Sequence, residues 1–293
     1  MSKTLLAAAL LPTAAFAQSS LPANDTMVVT ANRVEQPVSS VLAPVVVIDR
    51  AEIESRQVSS LTDLLKTLPG VQITTLGGRG HISSLFIRGT NSNHSLVLMN
   101  GRPIAAMVAG TPDLSQIPLG NIERVEYIRG PRAAVYGSDA IGGVINLITK
   151  TSAKSGSETH LKGGAGSHGY GQGQLRTVQA LGQQTDMNLL VGYERTDGFD
   201  VVAGAQQPDR DGFDSLNGQV GMNHAFNDAW SADFNAQGYD NQTEMDDAYQ
   251  SADQSRVKAF QYDGGLKFQS ETLTSRLEAS YGENKLKSWW ESN

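Results

Sequence analysis

Between about residue 153 and residue 293 the chain alternates apolar and polar residues with a period of two, segment after segment. In Leu273-Thr-Ser-Arg-Leu-Glu-Ala-Ser-Tyr281, Leu273, Leu277, Ala279 and Tyr281 fall on one side, and Thr274, Arg276, Glu278 and Ser280 on the other. Ala232, Phe234, Ala236 and Gly238 oppose Asp233, Asn235 and Gln237, while Phe260, Tyr262, Leu266 and Phe268 oppose Gln261, Asp263 and Lys267. Successive side chains of a strand point to opposite faces, so each segment reads as a strand with one apolar and one wet face. About seven such strands are expected, near residues 158–166, 170–180, 187–196, 215–225, 230–240, 257–268 and 273–284. A soluble β-sandwich and a membrane β-barrel both produce this pattern.

Three features favour the barrel. The first residues, from Met1 to Gln18, carry one Lys, an apolar core from Leu5 to Leu11 and an Ala15-Phe16-Ala17 site of the A-x-A kind, which reads as an export signal cleaved before Gln18. Aromatic residues (Tyr193, Phe226, Trp230, Phe268, Tyr281) lie near strand ends. Connections alternate between short, at 181–186, 227–229 and 269–272, and long, at 197–214 and 241–256. Short turns belong on the periplasmic side of an outer-membrane barrel and long loops outside. Mean hydropathy is below zero, which a barrel tolerates because each strand dilutes its apolar face with a polar one. There are no cysteines, so thiolate sites and disulfides are excluded, and the net charge of -7 argues against a nucleic-acid partner. No later run reaches the length of a membrane-spanning helix.

The stretch from about Val34 to Ile148 has another composition and reads as a small α+β unit. Val45-Val-Val-Ile48 is a buried-strand run; Leu61, Leu64, Leu65 and Leu68 share one helical face behind a Ser60 cap, and Pro69-Gly70 stops that helix. Strands are expected at 71–74, 85–88, 96–99, 124–128 and 143–149, with a turn at Asn100-Gly101. A compact unit of about 115 residues has a radius of gyration near 13 Å. An eight-stranded barrel holds only its own side chains, whereas barrels of about 22 strands enclose a plug. Seven strands therefore form the first part of a larger cylinder, and the chain is expected to be a fragment ending in a loop over 287–293.

Several phrases, in order, resemble one family. Asp25-Thr-Met-Val-Val-Thr-Ala31 resembles the TonB box of TonB-dependent outer-membrane receptors. Leu68-Pro-Gly-Val71, Phe86-Ile-Arg-Gly89, Val125-Glu-Tyr-Ile-Arg-Gly-Pro131 and Ala134-Val-Tyr-Gly-Ser-Asp-Ala-Ile-Gly-Gly-Val-Ile-Asn146 resemble its plug signatures. Thr30-Ala-Asn-Arg33, Asp113-Leu-Ser-Gln116, Gly198-Phe-Asp-Val-Val202, Asp209-Arg-Asp-Gly-Phe213 and Gly238-Tyr-Asp-Asn241 are similar to the cobalamin-transporter branch. The resemblance implies a signal peptide over 1–17, a TonB-box segment over 18–33, a plug over 34–152 and a partial transmembrane β-barrel over 153–293. The whole would be a monomeric receptor in the bacterial outer membrane, in contact with its lipid, importing cobalamin with energy from TonB. A siderophore receptor and a calcium-dependent surface adhesin are the other readings; no constellation for an enzyme is present.

The resemblance places TonB contacts on Asp25, Thr26, Met27, Val28, Val29, Thr30 and Ala31, and ligand contacts on His81, Ile82, Asn91 and Ala109. His81 departs from the residue type found there in cobalamin transporters. Asp200, Asp209, Asp211 and Asp240 lie in or beside the two long connections, which strand parity brings to the same rim. Carboxylates without Cys or suitably spaced His favour calcium, although solvated acidic loops look the same in a sequence. Asp246 and Asp247 are further candidates. Gly164-Ala-Gly-Ser-His-Gly169 spells a nucleotide-binding glycine pattern but joins two alternating strands and opens no helix.

Overall fold

A computed structural model of the chain describes residues 27–28, 36–41, 43–104, 111–149, 156–202, 209–246 and 253–290. The expected signal peptide and most of the TonB-box segment lie outside these residues. Within that segment, β1 (Met27–Val28) pairs antiparallel with β2 (Gln36–Pro37), a ladder of two residues on each side.

The first unit contains β3 (Val45–Asp49), α1 (Arg50–Ser55), α2 (Leu61–Lys66), β4 (Val71–Thr75), β5 (Ser83–Ile87), β6 (Ser95–Met99), β7 (Arg102–Pro103), β8 (Arg124–Arg129), α3 (Ala133–Tyr136) and β9 (Gly143–Ile148). Strands β3-β8-β9-β6-β7 form one mixed sheet in that order; β6 and β9 run parallel and the other pairs antiparallel. The β4–β5 hairpin forms a separate two-stranded sheet. Ser60 caps α2 by accepting a bond from the Asp63 N–H at 3.0 Å, satisfying a donor that the first turn leaves open. One turn later Leu61, Leu64, Leu65 and Leu68 all enter the core, as their spacing predicts. Gly70, at φ +77°, supplies the left-handed residue that turns the chain from α2 into β4. Helix α1 was not legible in the pattern because only Ile53 of its six residues is buried.

The main apolar core packs Ile48, Ile87, Val125, Tyr127, Ile145 and Leu147 against the leucines of α2, and a smaller cluster of Leu96, Leu98, Ala140 and Val144 covers the other sheet face. Burying each large aliphatic side chain contributes about 1.5–3 kcal/mol. No residue beyond Leu147 belongs to either cluster among the described residues.

The second unit is a seven-stranded antiparallel meander of β10 (Glu158–Ala165), β11 (Gly171–Ala180), β12 (Thr185–Thr196), β13 (Phe213–Ala225), β14 (Trp230–Glu244), β15 (Gln254–Gln269) and β16 (Thr274–Trp289). All seven expected strands are present. The connections at 166–170, 197–212 and 245–253 share one rim, and those at 181–184, 226–229 and 270–273 share the other. Residues 287–289, expected in a loop, continue β16 instead, because the ladder with β15 runs unbroken to the Gln254–Trp289 pair. The Gly164–Gly169 glycines close the β10–β11 hairpin.

Burial in this sheet is inverted relative to a soluble protein. On β13, Ser215 is 4% exposed and its neighbour Leu216 54% exposed; on β14, Asn235 is 2% and Phe234 46%. The buried polar residues face the first unit: Gln219 donates to the Thr149 carbonyl, Gln237 to Met99 Sδ, Asn241 to the Gln116 carbonyl at 2.7 Å, and Asp263 accepts from Asn100 at 3.2 Å. The period of two thus separates a plug-facing polar wall from an outward apolar one. A sheet in water would expose the first and bury the second.

Candidate functional site

The long-loop rim and the tip of the β4–β5 hairpin meet at one place. Its geometry begins at Gly198, where φ is +65° and a Cβ would fall 1.8 Å from the Asp211 carbonyl oxygen. Only glycine permits this crossing. Beyond it, the Val201 N–H donates to Asp211 Oδ2 at 2.8 Å and the Val202 N–H to Asp246 Oδ2 at 3.0 Å. These bonds draw the 197–202 segment, the start of β13 and the end of β14 together. Carboxylate oxygens of Asp200, Asp211 and Asp246 then lie within 4.8 Å of one another.

Burial of Asp211, reinforced by the charges of Asp246, Asp209 and Asp200 and partly offset by the Val201 N–H, raises its carboxyl to about 6. Asp209 is also raised, by burial first and then by Asp246, Asp200 and Asp253. Crowded acids of this kind are relieved by protons or by a cation. Oxygen spacings under 5 Å and an all-carboxylate donor set fit calcium, whose bonds to oxygen are about 2.3–2.6 Å.

Of the four sequence-predicted ligands, Asp200 and Asp211 are brought together, with Asp209 close enough for its charge to help raise the Asp211 carboxyl. Asp240 is placed elsewhere. It sits on the outward face of β14, where Arg256 donates to both its carboxylate oxygens at 2.6 Å and Lys258 lies 2.9 Å away. Strand β14 continues to Glu244, so Asp246 reaches the rim in its stead. Gly238-Tyr-Asp-Asn-Gln-Thr-Glu244 is polar on both faces apart from Tyr239, so no apolar alternation marks the longer strand in the sequence. Asp247 lies outside the described residues.

The plug side of the site is the 76–82 loop. Arg79 forms a two-pronged ion pair with Glu194 of β12 and donates to the Ser59 carbonyl at 2.7 Å. Gly80, at φ +74°, packs against Phe213 and Thr243. Behind the loop, Asp113 accepts from the backbone and hydroxyl of both Ser83 and Ser115; burial outweighs these four bonds and leaves its carboxyl raised.

His81 is buried against Gly77, its Nε2 unpartnered; burial lowers its pKa, and the Asp246 charge opposes that shift. Ile82 is half-buried and accepts the Leu76 N–H through its carbonyl, closing the hairpin. Asn91 is exposed at the opposite end of β5 from His81, so the two do not share a surface. Ala109 lies outside the described residues. In the TonB-box stretch Met27 and Val28 are paired with Pro37 and Gln36; Asp25, Thr26, Val29, Thr30 and Ala31 lie outside the described residues.

Residues 37–144 match the family model of the TonB-dependent receptor plug domain. Solved structures agree in fold for plug and sheet together. The ferric yersiniabactin uptake receptor from Yersinia pestis is 20% identical with a TM-score of 0.69, over 83% of this chain and 41% of its own. A variant of the ferric enterobactin receptor from Pseudomonas aeruginosa, in complex with enterobactin, is 20% identical with a TM-score of 0.66, over 83% and 41%. A siderophore receptor from Acinetobacter baumannii is 21% identical with a TM-score of 0.67, over 82% and 40%. The chain therefore spans about two fifths of the length of these structures. Its plug and seven barrel strands have the fold of an outer-membrane TonB-dependent receptor.

Proposed function

We propose that the protein imports a scarce ligand across the outer membrane by TonB-driven movement of its plug. The observation that carries this reading is the inverted sheet. An apolar outer wall suits lipid, and a polar inner wall bonds to a plug whose apolar core is complete without it. Hydrogen bonds such as Asn241 to Gln116 exchange readily for bonds to water, each with a net worth of about 1 kcal/mol. A plug held this way can shift without unfolding its core.

The force would arrive through the TonB-box segment. An extended apolar stretch adds to a partner's sheet edge through main-chain hydrogen bonds. The two-residue ladder between β1 and β2 is short enough to be replaced by such a partner. Replacing Val29 with Pro in the full-length protein removes a ladder donor. Ligand binding to cells should persist while uptake stops; uptake at the wild-type rate would refute the role of this segment.

Cobalamin is the ligand that the sequence phrases support, and calcium on Asp200, Asp211 and Asp246 would order the rim that captures it. A ferric siderophore is the second reading, supported by the ligands named for the solved receptors. Equilibrium binding of labelled cobalamin to cells expressing the full-length protein, with ferric siderophores as competitors, separates the two. Displacement by a siderophore but not by unlabelled cobalamin would select the second. Calorimetric titration with calcium tests the rim site independently.

A further inference from the structure

On the outward face of β15 and β16 the apolar wall stops short of the long-loop rim and cations replace it. The register sets Lys258 opposite Lys285 and Arg256 opposite Lys287, next along the strands from Phe260 and the Tyr262–Tyr281 pair. Like charges directly opposite one another destabilise a ladder, so two stacked cation pairs call for anions. Two are supplied by the chain. Asp240 holds Arg256 and Lys258 side by side, and Glu283 lies 2.9 Å from Lys285. Four cations against two carboxylates leave an excess of two positive charges, in a chain whose net charge is -7. Farther round the same rim, Arg195 stands opposite Asp214 in the register and lies 3.7 Å from Asp197, so no cationic excess arises there.

Depth decides what this patch meets. With a rise of about 3.4 Å per residue and a tilt of about 40°, the outward residues from Phe268 to Phe260 cover about 21 Å of the membrane normal, close to the ~25 Å apolar band of such barrels. The Lys258–Lys285 pair then lies about 5 Å beyond Phe260, at the edge of that band, and the Arg256–Lys287 pair about 10 Å beyond Phe260, at head-group level. Acyl chains cover the wall below, so the occupant combines an apolar body with an anionic head.

We propose that Arg256, Lys258, Lys285 and Lys287 form a docking surface for the phosphate groups of an outer-leaflet lipid. The idea rests on the membrane-barrel reading above. Asp240 fixes two of the cations in place and Glu283 a third, so little side-chain freedom is lost when a phosphate arrives. Basic groups at a membrane surface attract anionic head groups by about 1 kcal/mol each.

The test uses the full-length protein extracted from outer membranes and stripped of lipid in non-ionic detergent. Native mass spectrometry would compare binding of bisphosphorylated lipid A with that of its dephosphorylated form. The expected preference for the phosphorylated lipid is about tenfold, falling to about twofold or less in a Lys285→Gln, Lys287→Gln double variant and surviving in Arg195→Gln. Equal binding of the two lipids by the unmodified protein overturns the proposal without recourse to any variant. Full displacement by millimolar inorganic phosphate would overturn it in favour of a simple anion site. Outer-membrane fractionation and heat-modifiable migration of the same sample report on the barrel separately, so a membrane-embedded protein with no phosphate preference sinks only this surface.

Discussion

The plug and the sheet obey opposite rules of burial within one chain. In the plug, Leu64 and Ile87 are fully buried and the carboxylates and lysine of α1 and α2 face out, while the largely buried Arg50 is satisfied by the Leu119 and Ile122 carbonyls. In the sheet, Asn235 and Asn241 are buried while Val220 and Leu277 are exposed. One alphabet of residues serves two solvents. The plug is organised by exclusion of water from its own interior, the sheet by exclusion of polar groups from lipid on one side and by hydrogen bonding to the plug on the other.

Two substitutions probe that contrast most strongly. Leu64→Ala should cost the plug about 2–5 kcal/mol, through lost transfer energy and the cavity left behind, read as a shift in its urea unfolding midpoint within the full-length protein. Val220→Lys should cost about 2–4 kcal/mol in a lipid bilayer, read from folding into vesicles. A soluble sheet would accept that lysine at no cost, so an unchanged midpoint would erase the distinction between the two regions.

A smaller effect is expected at the rim where the regions meet. Gly198→Ala forces a side chain into the Asp211 carbonyl at a positive φ, an expected strain of about 1–3 kcal/mol confined to the 197–212 loop. Hydrogen exchange should quicken there and calcium binding weaken, with β13 unaffected.

The acidity of the same loop gives a pH signature. Because the Asp211 carboxyl is raised above its unfolded value, the folded loop holds the extra proton, and the stability that proton confers is present at low pH and lost as pH rises through about 6. Calcium should reverse the trend, its affinity falling up to about tenfold per pH unit below 6 for each proton displaced. A calcium affinity flat between pH 5 and 7 would separate the ion from these carboxylates. Smallest of all, Asn241→Ala should cost about 1–2 kcal/mol, since it removes the two exchangeable bonds from the Asn241 amide to Gln116.

Much of this arrangement was legible beforehand, for local reasons. The Ser60 cap, the leucine spacing of α2 and the Pro69-Gly70 stop are written in adjacent residues, and so is the alternation that marks each of the seven strands. Helix α1 escaped notice because a six-residue helix with one buried side chain has no period to detect. The rim was read in part: Asp200 and Asp211 converge as parity suggested, whereas Asp240 was displaced by Asp246 once β14 ran on to Glu244.

What the sequence determined by itself was which residues share a face, because a strand's period of two and a helix's period of 3.6 are properties of the backbone. It could not say which face turns toward the plug, where a strand ends and its loop begins, or which acids meet across loops far apart in the chain. Those were decided by tertiary structure, since they depend on closing contacts such as Val202 to Asp246 and Arg79 to Glu194, whose partners are separated by dozens of residues and leave no local trace.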